Sequence, residues 1–228
     1  MSQERIWDYF QNEGVDSFGD ALPRYEYLAQ GIVASSPSGA SVLNIGTGSG
    51  VLELALRHAG FSVSALDPSE AAIARLRDHG VDGRVGFAES LPFKDAVFDA
   101  VVASEVLEHL DPRQCELALA QIRRVLKPGG LFIGTVPFNE RLSDSRTVCP
   151  NCGHLFHRWG HQQAFVRETL AKLLGGHFAA VAISTRSFVV WRGGVRRLAK
   201  SAVKWLLGRM GEPISSPHLC FECRAPVR

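Results

Sequence analysis

The chain has 228 residues, 46% apolar and 21% charged, with a formal net charge of +2, ordinary values for a soluble globular protein with one substantial core and an appendage. No stretch approaches the roughly 18 to 20 continuous apolar residues that cross a bilayer. Met1-Ser2-Gln3-Glu4-Arg5 has neither a basic n-region nor a following apolar h-region, so no secretory signal is visible and a cytoplasmic protein is expected.

Charge is unevenly laid out. Residues 1–138 hold 11 Lys/Arg and 18 Asp/Glu, a balance of −7, whereas residues 139–228 hold 14 and 5, a balance of +9. A basic carboxyl-terminal third can meet nucleic acid, anionic lipid or a phosphorylated substrate, or can simply be a solvated face.

In chain order, residues 1–40 set Trp7, Tyr9, Phe10, Phe18, Tyr25 and Tyr27 between acidic residues, and Ser35-Ser36-Pro37-Ser38-Gly39 reads as a linker. The segment is too short for a domain. It fits either an amino-terminal helical lid with Tyr25 on the substrate side of a site, or packing at a sheet edge. From 41 to 136 the pattern alternates strands at 41–45, 62–66, 84–87, 97–102 and 130–136 with helices at about 50–59, 69–79 and 113–126. Short apolar strands separated by helices predict a largely parallel sheet covered on both faces. Leu126-Lys127-Pro128-Gly129-Gly130 is a helix stop and turn before the fifth strand.

The first strand ends in Asn44-Ile45-Gly46-Thr47-Gly48-Ser49-Gly50, where an apolar run turns tightly into a helix-like pattern. Glycines at 46, 48 and 50 let the backbone take positive φ or come close to a ligand, facing it with the free N–H groups of the next helix. Asp67 closes the second strand, where a carboxylate can grip a ribose diol or serve only as a helix-start residue.

These residues, with Leu66-Asp67-Pro68-Ser69, Ala88-Glu89-Ser90-Leu91-Pro92-Phe93, Phe98-Asp99-Ala100-Val101-Val102-Ala103-Ser104-Glu105-Val106-Leu107-Glu108-His109-Leu110 and the Leu126–Gly130 turn, resemble the class I S-adenosylmethionine-dependent methyltransferases, in particular the type 11 small-molecule group. The resemblance runs from about 41 to 137. It implies an α/β fold with a seven-stranded, mostly parallel, Rossmann-like sheet of order 3-2-1-4-5-7-6, strand 7 antiparallel. It further implies that Gly46, Gly48 and Gly50 approach the methionine part of the cofactor, Asp67 binds both ribose hydroxyls and Ala88 offers its N–H to adenine. Ala103, Ser104 and Glu105 then border the methyl-transfer path, and His109 lines the acceptor side.

The chain departs from the family pattern twice. Asn44 stands where an acid is usual, leaving an uncharged amide to orient the turn. Phe87 stands where an acid often precedes the residue at 88; it could stack on adenine, with Glu89 accepting the amino hydrogens. The sulfonium donor is already activated, so positioning can supply much of the acceleration. A hydroxyl acceptor also needs a base, for which His109 is the first choice, unless it only packs or caps near the site.

Beyond the fifth strand, Cys149-Pro150-Asn151-Cys152-Gly153 and Cys220-Phe221-Glu222-Cys223 each have C-x2-C spacing, and together they predict one structural four-cysteine zinc site tying an insertion at 138–161 to the tail. His154, His157 and His161 are alternative ligands, whereas Cys115 reads as a core residue. The block His154–Gln163 puts His157, Arg158 and His161 on the acceptor side by the same resemblance, or behind the knuckle as support. A helix at about 162–174 and strands at about 177–183 and 186–191 complete the sheet, giving a cofactor-binding domain over 41–194. Residues 195–207 form a basic amphipathic helix, either packed on the protein or resting on an anionic membrane, and residues 195–228 form the tail.

The function this predicts is methyl transfer from S-adenosylmethionine to a small-molecule or lipid/glycan-linked acceptor at oxygen. Two other readings stay open: an RNA methyltransferase using the knuckle and basic tail, and a cofactor-binding partner protein without activity.

Overall fold

A computed structural model of the chain describes Ile6, Tyr9 and residues 21–189, 195–209 and 217–227. Trp7, Phe10 and Phe18 of the expected lid lie outside the described residues. In order, the elements are α1 (Leu22–Ser35), β1 (Ser41–Ile45), α2 (Val51–His58), β2 (Ser62–Asp67), α3 (Glu70–Asp78), β3 (Asp82–Val85), β4 (Phe98–Ser104), α4 (Pro112–Val125), β5 (Leu126–Pro137), β6 (Arg146–Val148), β7 (Leu155–His157), α5 (Arg167–Gly175), β8 (Ala180–Arg186), α6 (Val195–Arg209) and β9 (His218–Arg224).

Seven strands form one sheet in the order β3-β2-β1-β4-β5-β9-β8, and β6 with β7 makes a separate hairpin. The first five are parallel, and β9 runs antiparallel to both of its neighbours. This is the expected order, with β8 as the sixth strand at the sheet edge and β9 as the antiparallel seventh, inserted between β5 and β8. Side chains alternate across the strands. Val42, Ala65, Val102 and Ile133 face α1, α2 and α3, while Leu43, Leu66, Val101 and Phe132 face α4 and α5. The central strands are buried on both faces, which is why they read as continuous apolar runs. β5 passes β4 so closely that a β-carbon on Gly134 would lie 2.0 Å from the Ala103 carbonyl oxygen.

Local chemistry sets the helix starts. Asp111 Oδ1 accepts from the Gln114 N–H at 2.8 Å and Gln114 Oε1 accepts from the Asp111 N–H at 3.0 Å, a reciprocal cap with Pro112 at the first helical position. The expected helix at 162–174 begins only at Arg167; before it, the Gln162 and Gln163 N–H groups donate to the Glu108 carbonyl at 2.8 and 3.3 Å.

The carboxyl-terminal expectations need correcting. The strand foreseen at 186–191 is absent from 187–189, and 190 and 191 lie outside the described residues. The seventh strand is instead His218-Leu219-Cys220-Phe221-Glu222-Cys223-Arg224, placed between β5 and β8. A spacing of three within a strand puts Cys220 and Cys223 on opposite faces of the sheet. Both are buried, and burial pushes each thiol up to about 12. Cys149 and Cys152 sit apart, at the exposed tip of the β6–β7 hairpin, so the predicted four-cysteine zinc site does not form. Cys115 is a buried core residue of α4, as expected.

Candidate active site

The carboxyl ends of β1, β2, β4 and β5 open into one cavity of about 1010 Å³. Its floor is the turn after β1, where Gly46, Gly48 and Gly50 have φ of +79°, +52° and +78°, conformations that side-chain-bearing residues avoid. A β-carbon at Gly46 would also meet Val106 Cγ2 at 2.7 Å. Asp67 fastens this turn to β2: its Oδ2 accepts from the Thr47 N–H at 2.8 Å and the Thr47 hydroxyl at 3.1 Å, and its Oδ1 accepts from the Ser69 N–H at 2.9 Å.

Of the residues singled out in the sequence, Tyr25, Gly46, Gly48, Asp67, Phe87, Ala88, Glu89, Ser104, Glu105, His109 and His161 all line this cavity. Phe87 is 48% exposed, an open ring face beside Ala88. Glu89 is held by Gln114, whose Nε2 donates to its Oε1 at 2.6 Å. Asn44 and Gly50 are buried and do not line the cavity. Asn44 is buried and donates from Nδ2 to Glu53 Oε1 at 2.8 Å, so the acid usual in the family at position 44 is met here from the first turn of α2. Burial pushes the Glu53 carboxyl up to about 7.

The far wall is rich in charge. Glu105, at the end of β4, has φ +57°, a strained value for a side-chain-bearing residue at a site rim. Its carboxylate accepts from the Thr135 hydroxyl at 2.9 Å and lies 3.4 Å from His218 Nε2 and 3.9 Å from Arg24 Nη1. Burial works against its charge, but Arg24 and His218 outweigh it and hold the group well below the usual carboxylate range. Glu108 behaves oppositely: burial, then the Glu105 charge, hold it well above that range. His109 is pushed down to about 3 by burial and by the neighbouring His161 ring, with a hydrogen bond to Gly160 opposing.

His161 packs edge-on against His109, with ring centroids 4.7 Å apart. Its Nδ1 lies 2.5 Å from Glu140 Oε2. His157 stands behind it: Nδ1 accepts the His161 N–H at 3.1 Å and Nε2 lies 3.4 Å from Glu140 Oε1. Arg158 is turned away to the surface, its guanidinium 4.8 Å over the Trp159 ring, and Trp159 lines the cavity in its place. Among the described residues, two three-residue groups have metal-ligand spacing, Glu108-His109-His161 and Glu140-His157-His161. No cysteine belongs to either. In the second, an Nδ1 that accepts an N–H leaves the proton of neutral His157 on Nε2, facing the position a metal would take.

Sequence reasoning missed Arg24, Glu108, Glu140 and His218. Glu108 sat within a quoted motif, whereas nothing in the local sequence marks Glu140 or His218, which reach the site through the insertion and the last strand.

The cavity brings together a glycine turn without side chains, an acid at the end of the second strand, an aromatic face at 87 and a carboxylate at 105 held below its usual range, a set that suits an elongated cationic nucleoside. Residues 43–134 match the family model described as "Methyltransferase domain", of the type 11 group. The chain is 32% identical over 200 residues to a ubiquinone biosynthesis O-methyltransferase of Xylella fastidiosa, covering 80% of this chain and 77% of that one. It is 35% identical over 111 residues to an uncharacterized methyltransferase of Synechocystis, a match spanning about half of each, 48% and 52%. Among solved structures it resembles the 1,6-didemethyltoxoflavin-N1-methyltransferase of Burkholderia thailandensis (TM-score 0.70, 19% identity, covering 98% and 87%) and the N-methyltransferase NodS of Bradyrhizobium japonicum (TM-score 0.62, 18% identity, covering 93% and 99%).

The fold is that of a class I methyltransferase. The chain belongs to the S-adenosylmethionine-dependent methyltransferases.

Proposed function

We propose that the protein transfers the methyl group of S-adenosylmethionine to a hydroxyl oxygen of a small-molecule or lipid/glycan-linked acceptor, in the cytoplasm. The curated relative from Xylella fastidiosa is an O-methyltransferase, and the Glu140–His161 pair is the observation that carries the choice of oxygen.

In this reading Asp67 takes the ribose hydroxyls and the 46–50 turn takes the methionyl end. Phe87, Ala88 and Glu89 take adenine, while Ser104 and Glu105 border the transfer path. The cofactor supplies a methyl group already activated on a sulfonium. The chain's part is to align the acceptor with it, exclude water and remove the hydroxyl proton.

Proton removal is assigned to His161 in preference to His109. Donation from His161 Nδ1–H to Glu140 leaves the Nε2 lone pair free, the arrangement by which a carboxylate orients a histidine base. His109 is a poorer base, because its charged form is disfavoured by burial; it packs against His161 and shapes the acceptor wall. His157 then positions Glu140 and His161 from behind.

The test is methyl transfer to 3,4-dihydroxybenzoate and to a prenylated catechol, followed by mass spectrometry. O-methylated product is expected. His161→Asn and Glu140→Gln should each lower kcat about 100-fold with little change in KM. Full activity in both variants would sink the assignment.

A further inference from the structure

Helix α6 leaves the sheet at the end that carries the cavity. β8 ends at Arg186, which pairs with His218 at the start of β9, and Pro217 and His218 line the cavity wall. The chain thus leaves β8 toward α6, and returns from it into β9, at the end of the sheet that carries the cavity.

A helix that covers a sheet buries its apolar stripe. α6 does the reverse. Leu198, Val203, Trp205 and Leu206 are 39%, 55%, 45% and 55% exposed, and Ala199 and Ala202 between them are exposed too. At about 100° per residue, these six positions fall within one arc of about 160°, so an amphipathic helix presents its apolar side to the surroundings. By sequence the helix carries Arg196, Arg197, Lys200, Lys204 and Arg209 and no acidic residue. Helical periodicity assigns the first four of these positions to the arc opposite the apolar one.

We propose that α6 is an interfacial helix that seats the mouth of the active site on an anionic membrane. Its apolar side enters the acyl boundary and its basic residues lie among the headgroups. Two features choose a bilayer over a protein partner. Five cations with no anion complement an anionic leaflet, whereas the centre of a protein–protein interface is depleted of charge. The helix also lies within a carboxyl-terminal segment whose balance is +9 over residues 139–228. No helix among the described residues is long and apolar enough to cross a membrane, so the contact is peripheral. The inference rests on the proposed lipid-linked acceptor only for its purpose, because the membrane contact itself needs no acceptor.

The full chain is mixed with phosphatidylcholine–phosphatidylglycerol vesicles and with pure phosphatidylcholine vesicles, then floated at low and high salt. Flotation with the anionic vesicles alone, lost at high salt, is expected. Lys200→Glu with Lys204→Glu should weaken partitioning at least about 30-fold, and Val203→Ser with Leu206→Ser should weaken it comparably. S-adenosylhomocysteine binding, measured by calorimetry on the same samples, reports on the methyltransferase reading separately and should be unchanged in both variants. Absence of vesicle binding by the wild-type chain, or equal binding by both variants, would overturn the proposal while leaving the methyltransferase reading intact. A dimer in sedimentation that Val203→Ser with Leu206→Ser dissolves would overturn it also, by assigning the face to a second copy.

Discussion

Glu53 is fully buried beneath the glycine turn. One of its oxygens accepts from Asn44 at 2.8 Å, and the other has no hydrogen-bond partner among the described residues. Burial raises its carboxyl from 4.5 to about 7. Below pH 4.5 the group is neutral in both folded and unfolded chains. As pH rises through 4.5 the unfolded chain ionises first, so stability falls, and it stops falling once pH passes the folded value near 7. The full loss is roughly 3 kcal/mol, a large share of a typical domain's stability.

Glu53→Gln keeps the side-chain size and an oxygen to accept from Asn44, but cannot ionise. The difference in unfolding free energy, variant minus wild type, should therefore grow by about 2 kcal/mol between pH 5.5 and pH 8. Urea denaturation across that range measures it. A difference that stays flat, or that shrinks with pH, would show that Glu53 is not the buried neutral acid described here.

Gly134→Ala should cost about 3 kcal/mol, because the new methyl group would meet the Ala103 carbonyl and the Phe221 ring across two neighbouring strands; thermal melting checks it. Cys220→Ser and Cys223→Ser should each cost about 1 to 3 kcal/mol by burying a hydroxyl. Their effects should add to within about 0.5 kcal/mol in the double variant, since they lie on opposite faces. A zinc-dependent, non-additive loss would instead restore the shared-ligand reading.

The parts of the molecule legible in its sequence are those written locally. The 46–50 turn, Asp67 at the end of β2 and the apolar strands each carry their signal within a few residues, and the central sheet follows from them. The seventh strand was hidden because Cys220-Phe221-Glu222-Cys223 resembles a metal motif. Only its pairing with β5, 80 or more residues earlier, shows that the two thiols diverge. Arg158 and Trp159 exchanged roles for a similar reason: in an irregular segment, spacing alone does not say which of two adjacent residues faces the site. Glu140 could not be found without the fold that carries the 138–161 insertion back over the cavity.

A calorimetric titration of S-adenosylhomocysteine into the purified chain bears on the whole scheme, because every assigned role depends on a nucleoside lying between Asp67 and the 46–50 turn. One molecule should bind per chain, and Asp67→Ala should weaken it about 100-fold, the loss of two charge-assisted hydrogen bonds to the ribose. No binding by the folded wild-type protein, or equal affinity in Asp67→Ala, would contradict it.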